Sequence, residues 1–241
     1  MPRKLLVPAV AVAALVVLGG AGAYAYFFSG LRTSPTALGL SSPSPTSSAT
    51  ASTTAGGAGT WQVASGSLVG YRVTEKFAGQ SSTHEAVART GDVTGQITIS
   101  QSGSTYRMTG AKITVQLANL ASVDTVAGLN VRNRDGIVQR SLDVSSFPTA
   151  VFEADPVDLP AGVATGQAVT VSVPGKLTIH GVTRSVTATG QLRVSGTTAQ
   201  LAGSIATNMT DFGISPPALP ITVVQPAVTI EFQLNLTPTS A

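Results

Sequence analysis

The sequence contains no cysteine, which excludes disulfide bonds and any site built on a thiolate. It has two histidines, His84 and His180, which lie far apart among 241 residues. The Gly-x-Ser-x-Gly motif that positions the nucleophile of many serine hydrolases does not occur in it either. We therefore expect a protein that is not an enzyme and that carries no catalytic residues, no metal and no cofactor.

Charged residues are scarce, at 10% of the chain, and the formal net charge is +3. Arg3, Lys4 and Arg32 account for this surplus, because the charges of the remaining basic and acidic residues cancel. A domain that binds nucleic acid carries its positive charge as a patch on the folded surface. The sequence therefore predicts no nucleic-acid partner.

Residues 5–28, LLVPAVAVAALVVLGGAGAYAYFF, form an uncharged apolar run of 24 residues. As a helix this run would be about 36 Å long, enough to cross a bilayer. Arg3 and Lys4 favour a cytoplasmic N-terminus, so we expect residues 1–28 to be a single-pass membrane anchor with the remaining chain outside the cytoplasm. The alternative is a cleaved signal peptide, for which Ala23-Tyr24-Ala25 supplies the small residues of a cleavage site, and the product is then secreted.

Residues 29–60 consist mostly of Ser, Thr, Ala, Pro and Gly. Such a segment buries too little apolar surface to offset the entropy that is lost when it is ordered. The sequence therefore predicts a disordered linker between the apolar run and a folded domain that covers residues 61–238.

From Trp61 onward, apolar and polar residues alternate with the period of two that is typical of β-strands. The last run is the clearest, because every second residue from Val228 to Leu236 is apolar and the residues between them are polar. About eight strands can be counted in this way. One buried face and one solvent-exposed face on each strand indicate an antiparallel sheet. Closure of that sheet into a barrel removes its exposed edges. We predict an all-β fold, an eight-stranded antiparallel barrel.

Two stretches of this region need a separate interpretation. Residues 119–142 interrupt the alternation with a cluster of Arg, Asn and Asp, which predicts a short helical insertion that caps or flanks the barrel. Residues 175–186, GKLTIHGVTRSV, predict a β-hairpin with a two-residue turn at Gly181-Val182. That register places His180 on the wet outer face, where it has no carboxylate or second histidine beside it, so we interpret it as structural.

The hairpin GKLTIHGVTRSV, the upstream stretch ASVDTVAGLNVRNRDGIVQRSLDVSSFPTAVFEA and the later DFGISPP occur here in the order of the motifs of the YceI-like family of polyisoprenoid-binding proteins. The sequence resembles this bacterial family from Trp61 to Leu236. The resemblance implies an extended, lipocalin-like barrel whose cavity holds the chain of an isoprenoid lipid or a quinone. We expect a lipid-binding module attached to the membrane. The alternative is a cell-surface structural or interaction domain whose barrel is filled by its own side chains.

Strand parity selects the side chains that would point into such a cavity. These ligand-binding candidates are Ile97, Ile99, Ile113, Val115, Leu117, Phe152, Leu177, Ile179, Ile230 and Phe232.

Four arginines are candidates for contact with a lipid head group, because arginine suits bidentate contact with a phosphate. They are Arg132, Arg134 and Arg140 of the insertion, and Arg184 on the inward-facing side of the predicted hairpin, at the mouth of the barrel. The alternative is that the arginines of the insertion pair with the aspartates around them. His84 is predicted to lie in a solvated loop between strands.

Overall fold

The structure is a computed structural model, and it describes residues 32–42, 57–77, 83–126, 130–219 and 222–239. The predicted membrane anchor lies outside the described residues, as does much of the predicted linker. Within the described part of the chain, no helix is long and apolar enough to cross a membrane.

The described residues form fifteen β-strands, two 3₁₀ helices and one α-helix. The strands are β1 Arg32–Thr33, β2 Gly59–Val63, β3 Leu68–Phe77, β4 Thr83–Thr90, β5 Val93–Ser102, β6 Thr105–Gln116, β7 Ala121–Ser122, β8 Thr125–Val126, β9 Thr149–Ala154, β10 Val157–Asp158, β11 Val169–Ile179, β12 Val182–Ser195, β13 Thr198–Asn208, β14 Ala218–Leu219 and β15 Thr222–Pro238. The 3₁₀ helices are η1 Val131–Arg134 and η2 Met209–Phe212, and the α-helix is α1 Asp135–Ser141.

Eight antiparallel barrel strands are built from these elements. The pairs β2 with β3 and β4 with β5 each form one barrel strand with a short break, and β6, β9, β11, β12, β13 and β15 supply the other six. Hydrogen bonds from β15 to β13 on one side, and to β2 and β3 on the other, close the sheet. The predicted eight-stranded antiparallel barrel with a short helical insertion is therefore confirmed.

Alternation along each strand places the apolar side chains inside the barrel. In β11, for example, Val171, Val173 and Leu177 are buried, whereas Ser172 and Lys176 are exposed. The main core cluster draws such buried residues from strands all around the barrel. The barrel interior is therefore the hydrophobic core, and any ligand site inside it is lined by core side chains.

The connections between strands define two ends of the barrel. At one end lie η1, α1, η2 and the turn between β11 and β12, and we call this the helical end. At the other lie the tight turns between β5 and β6 and between β12 and β13, and we call this the hairpin end. The long crossover from β6 to β9, which carries β7, β8, η1 and α1, belongs to the helical end.

The turn between β11 and β12 lies one residue earlier than predicted. Its two central residues are His180 and Gly181, with φ angles of 53° and 71°, and Ile179 pairs with Val182. Two positive φ angles give the turn a twist that matches the flanking strands. Glycine adopts such an angle freely and histidine tolerates it, whereas the β-branched Val182 does not, so the predicted turn at Gly181-Val182 was wrong.

Residues 32–42 lie against the outer face of the barrel, and we call this segment the strap. It begins at the helical end, where β1 pairs with β8. From there it crosses β4, β3 and β15, where Arg72 donates to the carbonyl of Pro35 at 2.7 Å and Arg89 donates to the carbonyl of Thr36 at 2.6 Å. Barrel arginines thus provide fixed donors for the polar backbone of the strap.

The far end of the strap reaches β12 and β13. There Arg193 donates to the carbonyl of Ser41 at 2.6 Å, and the Ser41 amide donates to Gln200 at 3.2 Å. The linker predicted over residues 29–60 therefore differs from the structure at the strap, which has defined contacts with the barrel. Composition predicted disorder there because the partners of the strap are long-range and leave no local pattern in its own sequence.

Glu231 is the charged centre on which the strap lies. Its side chain faces outward, as the alternation of β15 predicts, yet the residue is only 2% exposed because the strap covers it. One carboxylate oxygen accepts from Arg89 at 2.7 Å, and the other accepts from Arg72 at 3.4 Å and from the Leu38 amide at 3.3 Å. A single buried carboxylate thus joins two barrel strands and the strap.

Substitution of Glu231 with Gln should destabilise the folded chain, because the largely buried Arg89 loses its carboxylate partner and Arg72 keeps only its pair with the half-exposed Glu85. We expect a loss of about 2–4 kcal/mol, which lowers the melting temperature by about 4–16 °C for a domain of this size. The measurement is thermal unfolding of the full chain in a nonionic detergent, followed by circular dichroism.

The matched control is Glu153→Gln, because Glu153 pairs with Lys112 on the open surface, where both side chains are more than half exposed. Exposed pairs contribute about 0–1 kcal/mol. Equal shifts in melting temperature for the two variants would show that Glu231 does not hold the strap.

Candidate functional site

The barrel encloses an apolar cavity of about 240 Å³ in its helical half. Nine of the ten side chains that strand parity selected line it: Ile97, Ile113, Val115, Leu117, Phe152, Leu177, Ile179, Ile230 and Phe232. The tenth, Ile99, lines a smaller cavity of about 30 Å³ nearer the hairpin end. Inward-facing parity alone thus locates most of the cavity wall.

The helical end of the cavity is closed by side chains that strand parity could not select. Ile137 and Val138 come from α1, and Phe212 and Ile214 come from η2 and the residues after it. The helical insertion predicted from the sequence accounts for a cover over this end of the barrel. The sequence did not show which residues of the insertion line the cavity.

Five residues stand between the large and the small cavity, since they line both: Ile97, Met108, Val171, Val173 and Leu201. Trp61 lies in the wall of the small cavity, with its indole nitrogen donating to the Gly57 carbonyl at 3.1 Å. Of the side chains in the shared wall, the unbranched thioether of Met108 adapts most readily to a change in shape. The available space therefore forms one large chamber and, behind a shared wall, a small second cavity towards the hairpin end.

Three polar groups, Tyr71, Glu75 and Arg134, form what we call the polar wall of the cavity. The guanidinium of Arg134 donates to both oxygens of the Asp124 carboxylate at 2.7 Å and lies 3.3 Å from Glu75. The last turn of η1 positions Arg134, and the Asn130 side chain caps this helix by accepting from the Arg132 amide at 3.1 Å.

Only one of the four predicted head-group arginines therefore lines the cavity. Arg134 does, whereas Arg132, Arg140 and Arg184 are exposed at the helical end. Arg134 also satisfies the alternative prediction, since it pairs with Asp124. Glu75 was missed, although it continues the inward parity of Tyr71 and could have been found from that pattern.

Asp124 is buried and its carboxylate accepts from three directions. Besides Arg134, these donors are the His84 ring at 2.8 Å and the Val87 amide at 3.2 Å. Burial by itself would raise the pKa of this carboxyl, but the hydrogen bonds from His84 and Arg134 outweigh it and hold the pKa below its usual value. Asp124 is thus a buried anion, and Arg134 is committed to it.

His84 does not lie in a solvated loop, as the sequence suggested. It belongs to β4, is 5% exposed and donates from Nε2 to the Asp124 carboxylate. The polar residues around it in the sequence resemble a loop, but its partner is 40 residues away and no local pattern reveals it.

Tyr71 adds a neutral donor to the polar wall. Burial raises the pKa of its hydroxyl far above the usual value, so the group stays protonated at neutral pH. Within the described residues, this hydroxyl makes no hydrogen bond shorter than 3.5 Å. A buried hydroxyl without a partner is costly, so an acceptor that reached this one would gain a hydrogen bond that no described residue supplies.

The charges behind this wall bear on which head groups it can accept. Arg134 contributes one positive charge, while Glu75 and Asp124 each carry a negative one, so its guanidinium is already neutralised. A phosphate placed here would meet two carboxylates without a spare cation. The arrangement suits an uncharged group that accepts or donates hydrogen bonds.

A model of the YceI-like domain matches residues 61–236, which is the whole barrel. This chain belongs to the YceI-like family. No curated protein matches it.

Several solved structures are similar to this YceI-like domain. A polyisoprenoid binding domain from Saccharophagus degradans, implicated in plant cell wall breakdown, is 18% identical with a TM-score of 0.53, over 74% of this chain and 98% of that one. BcnA of Burkholderia cenocepacia is 19% identical with a TM-score of 0.47, over 68% and 95%. A Campylobacter jejuni YCEI protein is 14% identical with a TM-score of 0.39, over 67% and 83%.

His180 and Arg184, in the hairpin of β11 and β12, do not line the cavity of the YceI-like domain. His180 is partly buried, with Nδ1 3.2 Å from the Phe212 carbonyl and its ring edge-on to Phe147 at 5.1 Å between centroids. It therefore packs the helical end together and does not face open water as predicted. Arg184 pairs across the ladder with Leu177 but extends into solvent, as expected for a charge at the mouth.

Replacing Asp124 with Asn should destabilise the YceI-like domain at neutral pH, because Arg134 and His84 lose their anionic partner. Breaking a buried pair costs about 3–5 kcal/mol. The pKa of Asp124 is lower in the folded state than the unfolded value of about 3.9, so its stabilisation is complete above that value and is lost as the pH falls through the folded pKa. The difference in melting temperature between wild type and variant should narrow as the pH falls below about 4.

The control is Asp158→Asn, which removes an exposed partner of Arg107. Its melting temperature should stay close to that of the wild type across the same pH range. A gap for Asp124→Asn that stayed constant down to pH about 2 would show that ionisation of Asp124 does not stabilise the fold.

Proposed function

We propose that this YceI-like domain is a non-enzymatic carrier that holds the chain of an isoprenoid lipid or quinone in the cavity of its barrel. The observation that carries the proposal is the cavity itself, which is enclosed by core strands and lined by apolar side chains. We further propose that the domain works outside the cytoplasm, attached to the membrane by the apolar run of residues 5–28, or secreted where that run is cleaved.

The size and lining of the cavity support an apolar chain as the ligand. A dry apolar cavity of about 150 Å³ is enough to bind benzene, and this one measures about 240 Å³. In this shape it accommodates a segment of a long chain, with the small second cavity available if Met108 moves aside. Binding is driven by burial of apolar area, at about 25 cal/mol per Å².

The alternative, a structural or interaction domain with a filled barrel, is less well supported. A barrel that served only as a scaffold would be closed by interdigitating side chains at the packing density of a protein interior, with few voids larger than a water molecule. The large cavity departs from that expectation, and so does the Tyr71 hydroxyl, which has no hydrogen-bond partner among the described residues. The polyisoprenoid binding domain from Saccharophagus degradans, which shares the fold, favours a lipid ligand by analogy.

Replacing Ala188 with Phe should abolish lipid binding, because Ala188 is buried in the cavity wall and a phenyl ring there occupies ligand space. Thr187→Phe is the matched control, since this neighbour on the same strand is exposed on the outer face. Native mass spectrometry of the full chain, released from detergent after incubation with polyprenol or menaquinone, should show a lipid adduct for the wild type and the control only.

Circular dichroism verifies that both variants keep the β-sheet fold, because overpacking a core costs about 1–3 kcal/mol. A wild-type chain that binds neither lipid would overturn the proposed function. Binding that survives in Ala188→Phe would place the ligand elsewhere.

We propose that the preferred head group is uncharged. The polar wall offers a protonated Tyr71 hydroxyl, and Arg134, the one cation among the described residues of the wall, is already balanced by Asp124 and Glu75. A quinone carbonyl or an alcohol can hydrogen-bond here, whereas a phosphate is repelled by carboxylates with low solvent screening.

Glu75→Gln removes one of those carboxylate charges and should raise the affinity for a polyprenyl phosphate relative to the polyprenol of equal length by about tenfold or more. Glu153→Gln makes the same chemical change on the exposed outer face and should leave the ratio unaltered. Competition between the two lipids, read by native mass spectrometry, gives the ratio directly. A wild-type chain that prefers the phosphate would contradict the neutral head group.

A further inference from the structure

Exposed hydrophobic side chains lie at one end of the barrel. Among the described residues, the large hydrophobic side chains left exposed are Val123, at 42%, and Val223, at 58%. Val123 lies between β7 and β8. Val223 is the second residue of β15 and pairs with Lys76, near the end of β3. Both positions belong to the helical end, where the cavity also lies.

Exposed positive charge is concentrated at the same end. The exposed cations there are Lys76, Arg132, Arg140 and Arg184, and within the described residues none of them forms an ion pair. Three nearby carboxylates, Asp135, Asp143 and Asp211, also have no ion pair among the described residues, so four unpaired cations stand against three unpaired anions.

The hairpin end has no comparable group of exposed, unpaired cations among the described residues. Arg107 is paired there with Asp158, and Arg193 is partly buried and donates to the Ser41 carbonyl and to Gln200. The helical end therefore carries the exposed, unpaired cations as well as the exposed valines.

The strap makes the chain enter the domain from the helical end. β1 pairs with β8 there, and the following residues run away from that end towards Ser41 beside Arg193. The apolar run ends at Phe28, four residues before Arg32. Even fully extended, four residues span at most about 14 Å. Whatever holds the apolar run must therefore lie close to the helical end.

We propose that the helical end is a docking surface for a lipid bilayer that contains anionic lipids, so that the cavity lies next to the membrane. The exposed valines enter the interface, the four cations meet anionic head groups, and the strap prevents the domain from turning its hairpin end inward. The proposal rests on the proposed membrane attachment through residues 5–28, and it gives a lipid a route into the cavity that avoids water.

The test uses the full chain reconstituted into vesicles of phosphatidylcholine and phosphatidylglycerol. Because the chain has no cysteine, a single introduced one is labelled uniquely. Val223→Cys reports the helical end and Thr197→Cys, in the exposed turn before β13, reports the hairpin end. These sites are separated by about the length of β13, roughly 36 Å along the strand.

A fluorophore at position 223 should lose its emission when spin-labelled lipid is added to the vesicles, and a fluorophore at position 197 should keep it. Equal quenching at the two positions, or stronger quenching at 197, overturns the docking surface. A chain that fails to remain with the vesicles overturns the docking surface and the membrane attachment together. The lipid adduct in detergent is independent of both outcomes and still decides whether the cavity binds.

The contribution of charge is tested by the triple variant Arg132→Gln, Arg140→Gln and Arg184→Gln. In the mixed vesicles, quenching at position 223 of the triple variant should be weaker than in the Val223→Cys chain with its arginines intact. It should equal the quenching that this chain shows in vesicles of phosphatidylcholine alone. Arg107→Gln at the hairpin end is the matched control and should not change the quenching. Undiminished quenching in the triple variant would overturn the role of the anionic lipid.

Discussion

The two-pronged contact between Arg134 and Asp124 is the interaction on which the site depends. It fixes the short helix η1 against β4, because Asp124 is also held by His84 and by the Val87 amide. This contact closes the polar side of the cavity and at the same time neutralises Arg134, the one cation that the described residues contribute to its wall. A single constraint therefore determines both the shape of the chamber and the charge that a ligand meets. Such a pair is expensive to desolvate, so it stabilises the fold only while all of its partners are in place.

A second buried carboxylate, that of Glu231, links neighbouring elements on the outer face of the same part of the sheet. Glu231 joins Arg72 and Arg89 beneath the strap, while Tyr71 and Val73, the neighbours of Arg72 in β3, face the cavity. The two faces of this part of the sheet are thus both organised around buried charge. Elsewhere in the barrel, strands pack against the apolar core on one face and are solvated on the other. Polar side chains on the solvated face are hydrated, so they need no buried ion pairs.

Much of the barrel could be predicted from the sequence, and the reason is the strand period. Alternation in β15 and β11 identifies inward side chains without any tertiary information, and nine predicted positions line the large cavity. What could not be predicted depends on contacts between distant residues. His84 and Asp124 are 40 residues apart, and the strap meets partners that are 37 to 193 residues away. The prediction of a turn at Gly181-Val182 was wrong for a local reason. The choice between adjacent turn positions depends on which residue tolerates a positive φ.

Charge enters the proposed route of a lipid twice, with opposite sign. Exposed cations at the helical end attract anionic head groups, whereas the polar wall of the cavity presents two carboxylates against one arginine. A domain that functions as we propose is attracted to an anionic bilayer, while its cavity disfavours the charged lipids that are attracted to its surface. In this proposal a neutral isoprenoid is held by apolar burial and by hydrogen bonds at the polar wall, neither of which depends on surface charge. Separation of the attracting charge from the binding wall would thus allow the proposed carrier to select a neutral lipid from a membrane rich in anionic ones.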